Sequence, residues 1–244
     1  EAGNIQAGDH VLEVGPGTGM LTRALLAKGA RVTAIEADIR AVEILHTTFR
    51  EACETGQLSV LHKDIRETTL QKLGLTPHEY KAIANIPYYI SGMLFRTFLA
   101  GDCQPNTLVF LVQKEVAVRI ARAGNGEIKE SLLSLSVKAF GTPKYIQTVP
   151  RGNFNPIPKV DSAVLAVHDI NKERFGTLDE TFFFEILHLG LGAKRKQLLG
   201  SLSKQFERDA LVRIFDTLSL KNNVRGEDLP IDTWVLLAQK LQHI

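Results

Sequence analysis

The chain has 244 residues, of which 44% are hydrophobic and 23% charged, and a formal net charge of +2. That length suits one large α/β domain with an appendage or two modest domains, and the composition is globular rather than disordered. No apolar run approaches the roughly 20 residues that span a bilayer, which points to a soluble protein that makes no membrane contact.

Taken in chain order, the opening EAGNIQAGDH has neither a basic segment nor an apolar core, so no signal peptide is read. Because the first residue is Glu1 rather than Met, the chain is expected to have lost residues ahead of it. HVLEVG (10–15) predicts a strand entering a glycine loop, and MLTRALLAKG (20–29) a helix that Gly29 ends as C-cap. RVTAIEAD (31–38) follows as a strand, RAVEILHTTFREACET (40–55) as a helix and QLSVLHKD (57–64) as a strand. KAIAN (81–85) is a fourth strand, SGMLFRTFLAG (91–101) a helix, and TLVFLVQ (107–113) a fifth strand, apolar enough to be covered on both faces. This alternation implies βαβ units and a parallel sheet, whose post-strand loops share the edge where ligands of open α/β sheets bind. SLLSLSVKAFG, starting at 131, reads as a helix. PKYIQTVP (143–150) and SAVLAVHDI (162–170) read as strands joined by a constrained loop holding Pro156 and Pro158. Beyond about residue 170 only helical periodicity remains, so the chain divides into an α/β domain over 1–170 and a small all-helical domain over 171–244.

The two cysteines, Cys53 and Cys103, have no paired spacing, and the seven histidines form no HExxH. The expectation is a reducing, cytoplasmic compartment, with no disulfide framework and no metal. The positive charge is concentrated: residues 110–160 carry eight Lys and Arg against three Asp and Glu. Such a segment fits a polyanion footprint, and fits equally well a solvated basic face.

The residues suited to chemistry fall at strand ends. Gly15, Gly17 and Gly19 lie between the first strand and the first helix, where glycine permits close backbone approach and the helix start presents free amides. Their spacing of two and two departs from the two and three of the dinucleotide fingerprint GxGxxG. Glu13 would repel a pyrophosphate and suits a cationic ligand better. Glu36, 21 residues after Gly15, is placed to accept hydrogen bonds from both hydroxyls of a ribose, and Asp64 from an adenine amine. Each acid alone reads as well as a helix N-cap or a solvated loop residue. Jointly, Glu13, Glu36, Asp64 and Asn85 put one acidic or amide group at the end of each of the first four strands.

Together these residues resemble the methyltransferases that use S-adenosylmethionine, an adenosine bearing a positive sulfonium. Asn85-Ile86-Pro87-Tyr88 is similar to the (N/D)PP(Y/F)-type motif of enzymes that methylate exocyclic amines, in the NxPY form of the ribosomal RNA adenine dimethyltransferases. LVQKEVAVRI (111–120), FNPIPKVDSAVL (154–165) and KRKQLLGSL (194–202) match that family in order. The resemblance covers almost the whole chain, and these later segments are far more specific than the glycine loop. The best match is the KsgA type, which dimethylates adenines of small-subunit rRNA.

The resemblance implies a Rossmann-like methyltransferase fold with a mostly parallel sheet, followed by a helical domain that contacts rRNA. It implies S-adenosylmethionine bound by Glu13, Gly15, Gly17, Gly19, Glu36, Asp64, Ile65 and Asn85. Its catalytic set is Asn85, Ile86, Pro87 and Tyr88, with Phe154 as a second stacking wall. The implied partner is rRNA in the small subunit or its precursor, met by a monomer, with phosphates facing Lys114, Arg119, Arg122, Lys144, Arg151, Lys194, Arg195 and Lys196. For any one of these, a plain solvated cation is the simpler reading.

The motif also has a physical logic of its own. An adenine amine is a poor nucleophile because its lone pair is delocalised into the ring. With the Asn85 side-chain oxygen and the Ile86 carbonyl accepting its two N–H bonds, the nitrogen is aimed and pushed towards tetrahedral geometry. Pro87 fixes the turn, and Tyr88 offers a face to the base.

Two departures stand out. Family members carry a short Q-(N/H)-F-L segment ahead of the position of Glu1, which closes over the cofactor. NIPY also resembles the Erm type acting on large-subunit rRNA, whereas PKVDS (158–162) leans to the KsgA type, since Erm proteins commonly have Asn in place of Asp161. The alternatives are therefore Erm-like dimethylation of large-subunit rRNA and a non-catalytic RNA-binding ribosome assembly factor, with a nicotinamide-dependent dehydrogenase more distant.

Overall fold

The structure is a computed structural model that describes residues 2–86, 88–124, 128–193 and 196–244. The chain separates into two compact units, Glu1–Ala117 with Gly141–Ile170, and Val118–Phe140 with Asn171–Ile244.

Among the described residues of the first unit, seven strands form one sheet. They are β1 (His10–Val14), β2 (Arg31–Glu36), β3 (Leu58–His62), β4 (Tyr80–Asn85), β5 (Thr107–Gln113), β6 (Thr142–Val149) and β7 (Ser162–His168). Their order is β3-β2-β1-β4-β5-β7-β6. The first five run parallel, while β7 pairs antiparallel with both β5 and β6. Both faces of the central strands are covered, which explains their unbroken apolar runs. Val11, Ile83 and Val109 pack with Leu25 of α1 (Met20–Ala27) and Leu45 of α2 (Ile39–Thr48). On β5 the next residue, Phe110, points the other way and meets Phe95 and Phe98 at ring separations of 5.2 and 5.8 Å.

Two helices differ from expectation. The helix read over 40–55 is broken into α2 and α3 (Arg50–Glu54) at Phe49, whose backbone leaves the helical region at φ −117°, ψ 35°. The segment Lys114–Arg122 is itself a helix: after α4 (Ser91–Leu99), α5 starts at Lys114, the residue after the end of β5, with no loop between them.

The second unit contains α6 (Leu132–Lys138), α7 (Glu180–Leu191), α8 (Leu198–Leu202), α9 (Arg208–Thr217) and α10 (Ile231–Leu241). Its centre is Trp234, fully buried, with its indole N–H donated to the Gly226 carbonyl at 3.1 Å. A Cβ on Gly190 would lie 2.4 Å from the Trp234 ring, so the missing side chain is what lets α7 approach α10. One boundary between the units falls between Ile170 and Asn171. Residues 118–140, placed with the α/β domain on periodicity, group instead with the helices. There Phe140 meets Phe175 at 5.3 Å, the Glu130 N–H is donated to the Glu227 carbonyl at 2.9 Å, and the buried Glu130 carboxylate pairs with Lys138 at 2.6 Å. Among the described residues no helix is long and apolar enough to cross a membrane.

The strand order reverses between β1 and β4, and in open α/β sheets the crevice at such a point is the ligand edge. The glycine turn is built into that edge. Gly15, Gly17 and Gly19 all have positive φ, at 68°, 57° and 84°. At Gly19, the N-cap of α1, space is limiting as well, because a Cβ would sit 2.4 Å from Phe49 and 2.9 Å from Leu45.

Gly19→Ala combines a left-handed backbone with overpacking, and is expected to lose about 2–3 kcal/mol in urea unfolding. An unchanged midpoint would show that α1 can start without this glycine.

Candidate active site at the carboxyl edge of the sheet

Register sets the site. Val14 pairs with Ile35 on one side and with Ala84 on the other, so Gly15, Glu36 and Asn85 stand level at the ends of three adjacent strands. Glu36 is the centre of a small hydrogen-bond array. Its Oε2 accepts the Gly17 N–H at 3.0 Å and its Oε1 the Asp38 N–H at 2.9 Å. The carboxylate is thus oriented by backbone donors, and each oxygen keeps further acceptor capacity.

Glu13 is 1% exposed within β1. Thr22 Oγ1 donates to its Oε2 at 2.7 Å, while among the described residues Oε1 has no partner. Burial pushes the Glu13 carboxyl up to about 7; the Thr22 hydrogen bonds oppose this shift and the charge of Glu36 adds to it. Asp64 is a local cap, the alternative that the sequence left open for it. It caps the 3-10 turn Ile65–Glu67, accepting the Arg66 N–H at 2.8 Å, and its carboxylate is engaged by the Arg66 guanidinium at 2.5 Å, which holds its pKa below the usual carboxylate range. Of the four strand-end groups, its oxygens are the most fully taken up. Ile65 beside it is buried.

Asn85 is the exposed last residue of β4, and Ile86 after it is buried. Pro87 lies outside the described residues. An apolar cavity of about 680 Å³, lined by Ile5, Leu21, Ile83, Val109 and Val164, opens along the sheet face as far as Asn85 but includes neither the glycine turn nor Glu36. Tyr88 begins the 3-10 turn Tyr88–Ile90 and is half-buried. Its hydroxyl lies 2.7 Å from Ser162 Oγ, and its carbonyl accepts the Ser91 hydroxyl at 2.9 Å. Phe154, also half-buried, follows the short turn Arg151–Asn153 in the loop before β7.

A methyl donor carrying an adenosine and a cationic centre is matched here by a left-handed glycine turn, a pre-oriented Glu36, and a buried acid with one oxygen unpartnered among the described residues. The family profile described as Ribosomal RNA adenine dimethylase matches residues 1–243. The chain belongs to the ribosomal RNA adenine dimethylase family. Three similar curated proteins carry the name Ribosomal RNA small subunit methyltransferase A. That of Dehalococcoides mccartyi (strain ATCC BAA-2266 / KCTC 15142 / 195) is 32% identical over 97% of this chain and 80% of its own length. The Nostoc punctiforme protein is 35% identical over 96% and 83%, and the Clostridioides difficile protein 34% over 96% and 81%. A solved dimethyladenosine transferase from Plasmodium falciparum superposes with a TM-score of 0.79 at 25% identity, covering 99% of this chain and 93% of that one. The 23S rRNA methyltransferase ErmE shares the fold, at a TM-score of 0.74 and 21% identity over 98% and 93%. The fold is therefore the Rossmann-like methyltransferase fold. Membership makes this chain an rRNA adenine dimethyltransferase and implies S-adenosylmethionine as its methyl donor.

For a dimethyltransferase the arrangement is economical: the glycine turn, Glu13, Glu36, Asn85, Tyr88 and Phe154 all belong to the first unit. Of the basic residues expected to meet RNA, Lys114, Lys144 and Arg151 are exposed on the first unit, and Arg119, Arg122 and Lys196 on the second. Lys194 and Arg195 lie outside the described residues. Sequence reasoning missed Thr22, Ser162 and Arg66. Arg66 was legible as a local partner two residues from Asp64, whereas Thr22 and Ser162 reach Glu13 and Tyr88 only through the fold. Among the described residues no cluster of three or more His, Cys, Asp or Glu side chains is arranged to hold a metal ion.

The raised Glu13 pKa has a definite sign. From about pH 4.5 to about 7 the folded state holds more protons than the unfolded chain, so this group makes stability fall as pH rises through that window and level off above it. The difference is about 3 kcal/mol. In unliganded protein, Glu13→Gln is expected to flatten the slope and to be the more stable form at pH 8 in urea melts. Identical slopes in the two proteins would remove Glu13 as the titrating group.

Proposed function

We propose that this dimethyltransferase acts on small-subunit rRNA, placing two methyl groups from S-adenosylmethionine on the exocyclic amine of its target adenines during ribosome assembly in the cytoplasm. The observation that carries the proposal is Asn85, exposed at the end of β4 and level with the glycine turn across the strand-order reversal. The small-subunit assignment is supported by the names of the curated relatives and by the PKVDS segment.

Bound in the crevice, the cofactor supplies an electrophilic methyl group. Glu36, already held by two backbone amides, receives the ribose hydroxyls. Glu13, buried and with one oxygen unpartnered among the described residues, faces the cationic centre of the cofactor, whose charge favours the ionised carboxylate over the neutral form that burial favours. The Asn85 side-chain oxygen and the Ile86 carbonyl accept the two N–H bonds of the adenine amine, which localises its lone pair and aims it. Tyr88 and Phe154 hold the base between aromatic faces. No strong general base is required, since the methylated nitrogen is acidic and releases its proton to water. The basic residues of both units bind RNA phosphates, a contact that positions RNA without reading its sequence.

Asn85→Ala is expected to cut methyl transfer by about 10²–10³-fold, the scale of losing one aimed hydrogen-bonding group, while leaving thermal melting almost unchanged because the side chain is exposed. An active Asn85→Ala protein would sink the mechanism. Incubation with labelled cofactor and undermethylated ribosomal subunits should label adenines of the small subunit. Label confined to the large subunit, the outcome that Ile86 in the NIPY turn favours, would replace this substrate assignment.

A further inference from the structure

We infer that Asp161 and Ser162, the residues that lead into β7, are positioning residues for the two aromatic walls: Ser162 pins the ring of Tyr88, and Asp161 closes the loop that carries Phe154. This rests on the proposal above that those two rings hold the adenine.

Because β7 is antiparallel, it begins where β4 and β5 end. Ser162 pairs with Gln113, the last residue of β5, and with Val149, the last residue of β6. It is therefore a rigid strand residue at the ligand edge, and it is fully buried. Its Oγ lies 2.7 Å from the Tyr88 hydroxyl. Tyr88 sits in a single 3-10 turn and is half-buried, so packing alone leaves its ring free to tilt. A hydrogen bond at the ring tip, anchored in the sheet, selects one plane.

Asp161 bonds to two other segments. Its Oδ1 accepts the Arg151 N–H at 3.1 Å, and its backbone carbonyl accepts the Lys114 N–H at 3.0 Å, at the first residue of α5. The Arg151 guanidinium adds a 3.4 Å bond to the Lys159 carbonyl. Between these ties the loop is largely exposed, with Ile157 facing solvent, so burial holds it only weakly. Phe154 is placed chiefly by the closure at the loop base. Neither Asp161 nor Ser162 needs to touch the adenine; each acts through a neighbour.

The test is single-turnover methyl transfer to undermethylated small subunits by wild type, Tyr88→Phe, Ser162→Ala and the double variant, with subunit binding measured alongside. Each single variant should slow transfer about five- to tenfold, the scale of one net hydrogen bond, with subunit affinity unchanged. The double variant should be no slower than either single, because both remove the same bond. Asp161→Ala should show a comparable loss, and Asp161→Asn, which keeps an acceptor oxygen, should recover most of it. Multiplicative losses in the double variant, or wild-type rates for Ser162→Ala, would overturn the role of Ser162. Equal rates for Asp161→Ala and wild type would overturn that of Asp161. Should Ser162→Ala fail to fold, Tyr88→Phe breaks the same bond without touching the sheet, and wild-type transfer by it overturns the pin. Tyr88→Ala and Phe154→Ala separate the two layers: wild-type transfer by both would bring down the aromatic walls themselves, whereas loss in both alongside a normal Ser162→Ala would bring down only the inference.

Discussion

The reversal of strand order between β1 and β4 is the constraint on which the molecule depends. With β2 on one side of β1 and β4 on the other, the loops after β1 and β4 leave the sheet side by side and the helices that follow diverge. Gly15 and Asn85 are 70 residues apart in sequence, yet the pairing of Val14 with Ala84 brings their strand ends level. A different order would leave each residue chemically intact and useless to the other. The left-handed glycines then let the chain turn within that narrow edge, and the Gly17 amide, freed by the turn, orients Glu36 from the next strand.

The same edge accumulates groups that cost stability. Glu13 is buried with an oxygen that meets no donor among the described residues, and its carboxyl is held towards its neutral form. A well-packed core would not keep such a group, whereas a pocket for a cationic ligand gains from it, because negative potential in a poorly solvated place acts strongly. Asn85, exposed at the end of β4, and Tyr88 and Phe154, half-buried on or beside turns, sit at the opposite extreme, with Ser162 of β7 at the tip of the Tyr88 ring. Rigidity comes from β7 and accessibility from the loops, a division common to sites on α/β scaffolds.

Local patterns carried much of the architecture. The five parallel strands were legible because buried strands are continuous apolar runs between turn residues, and Asn85 was legible because an amide followed by proline and tyrosine is an odd way to end such a run. Phe49 was less transparent. Its helical periodicity continues unbroken in sequence, yet its backbone leaves the helical region there. Helix α5 was hidden for the opposite reason: it begins directly from β5 without the loop residues that usually mark a start. Residues 118–140 join the helical unit through Phe140 and Glu130, whose partners lie far along the chain.

By itself the sequence determined which residue types stand at each strand end, the alternation that demands a parallel sheet, and the family to which the chain belongs, since these depend on neighbours within a few residues. Only the tertiary structure decided which of those groups meet. It joined Thr22 to Glu13 and set Ser162 behind Tyr88. The physical reason is that a hydrogen bond is specified by distance and angle over about 3 Å. Strand order and register bring residues that are remote along the chain within that range, and local sequence patterns do not encode either one.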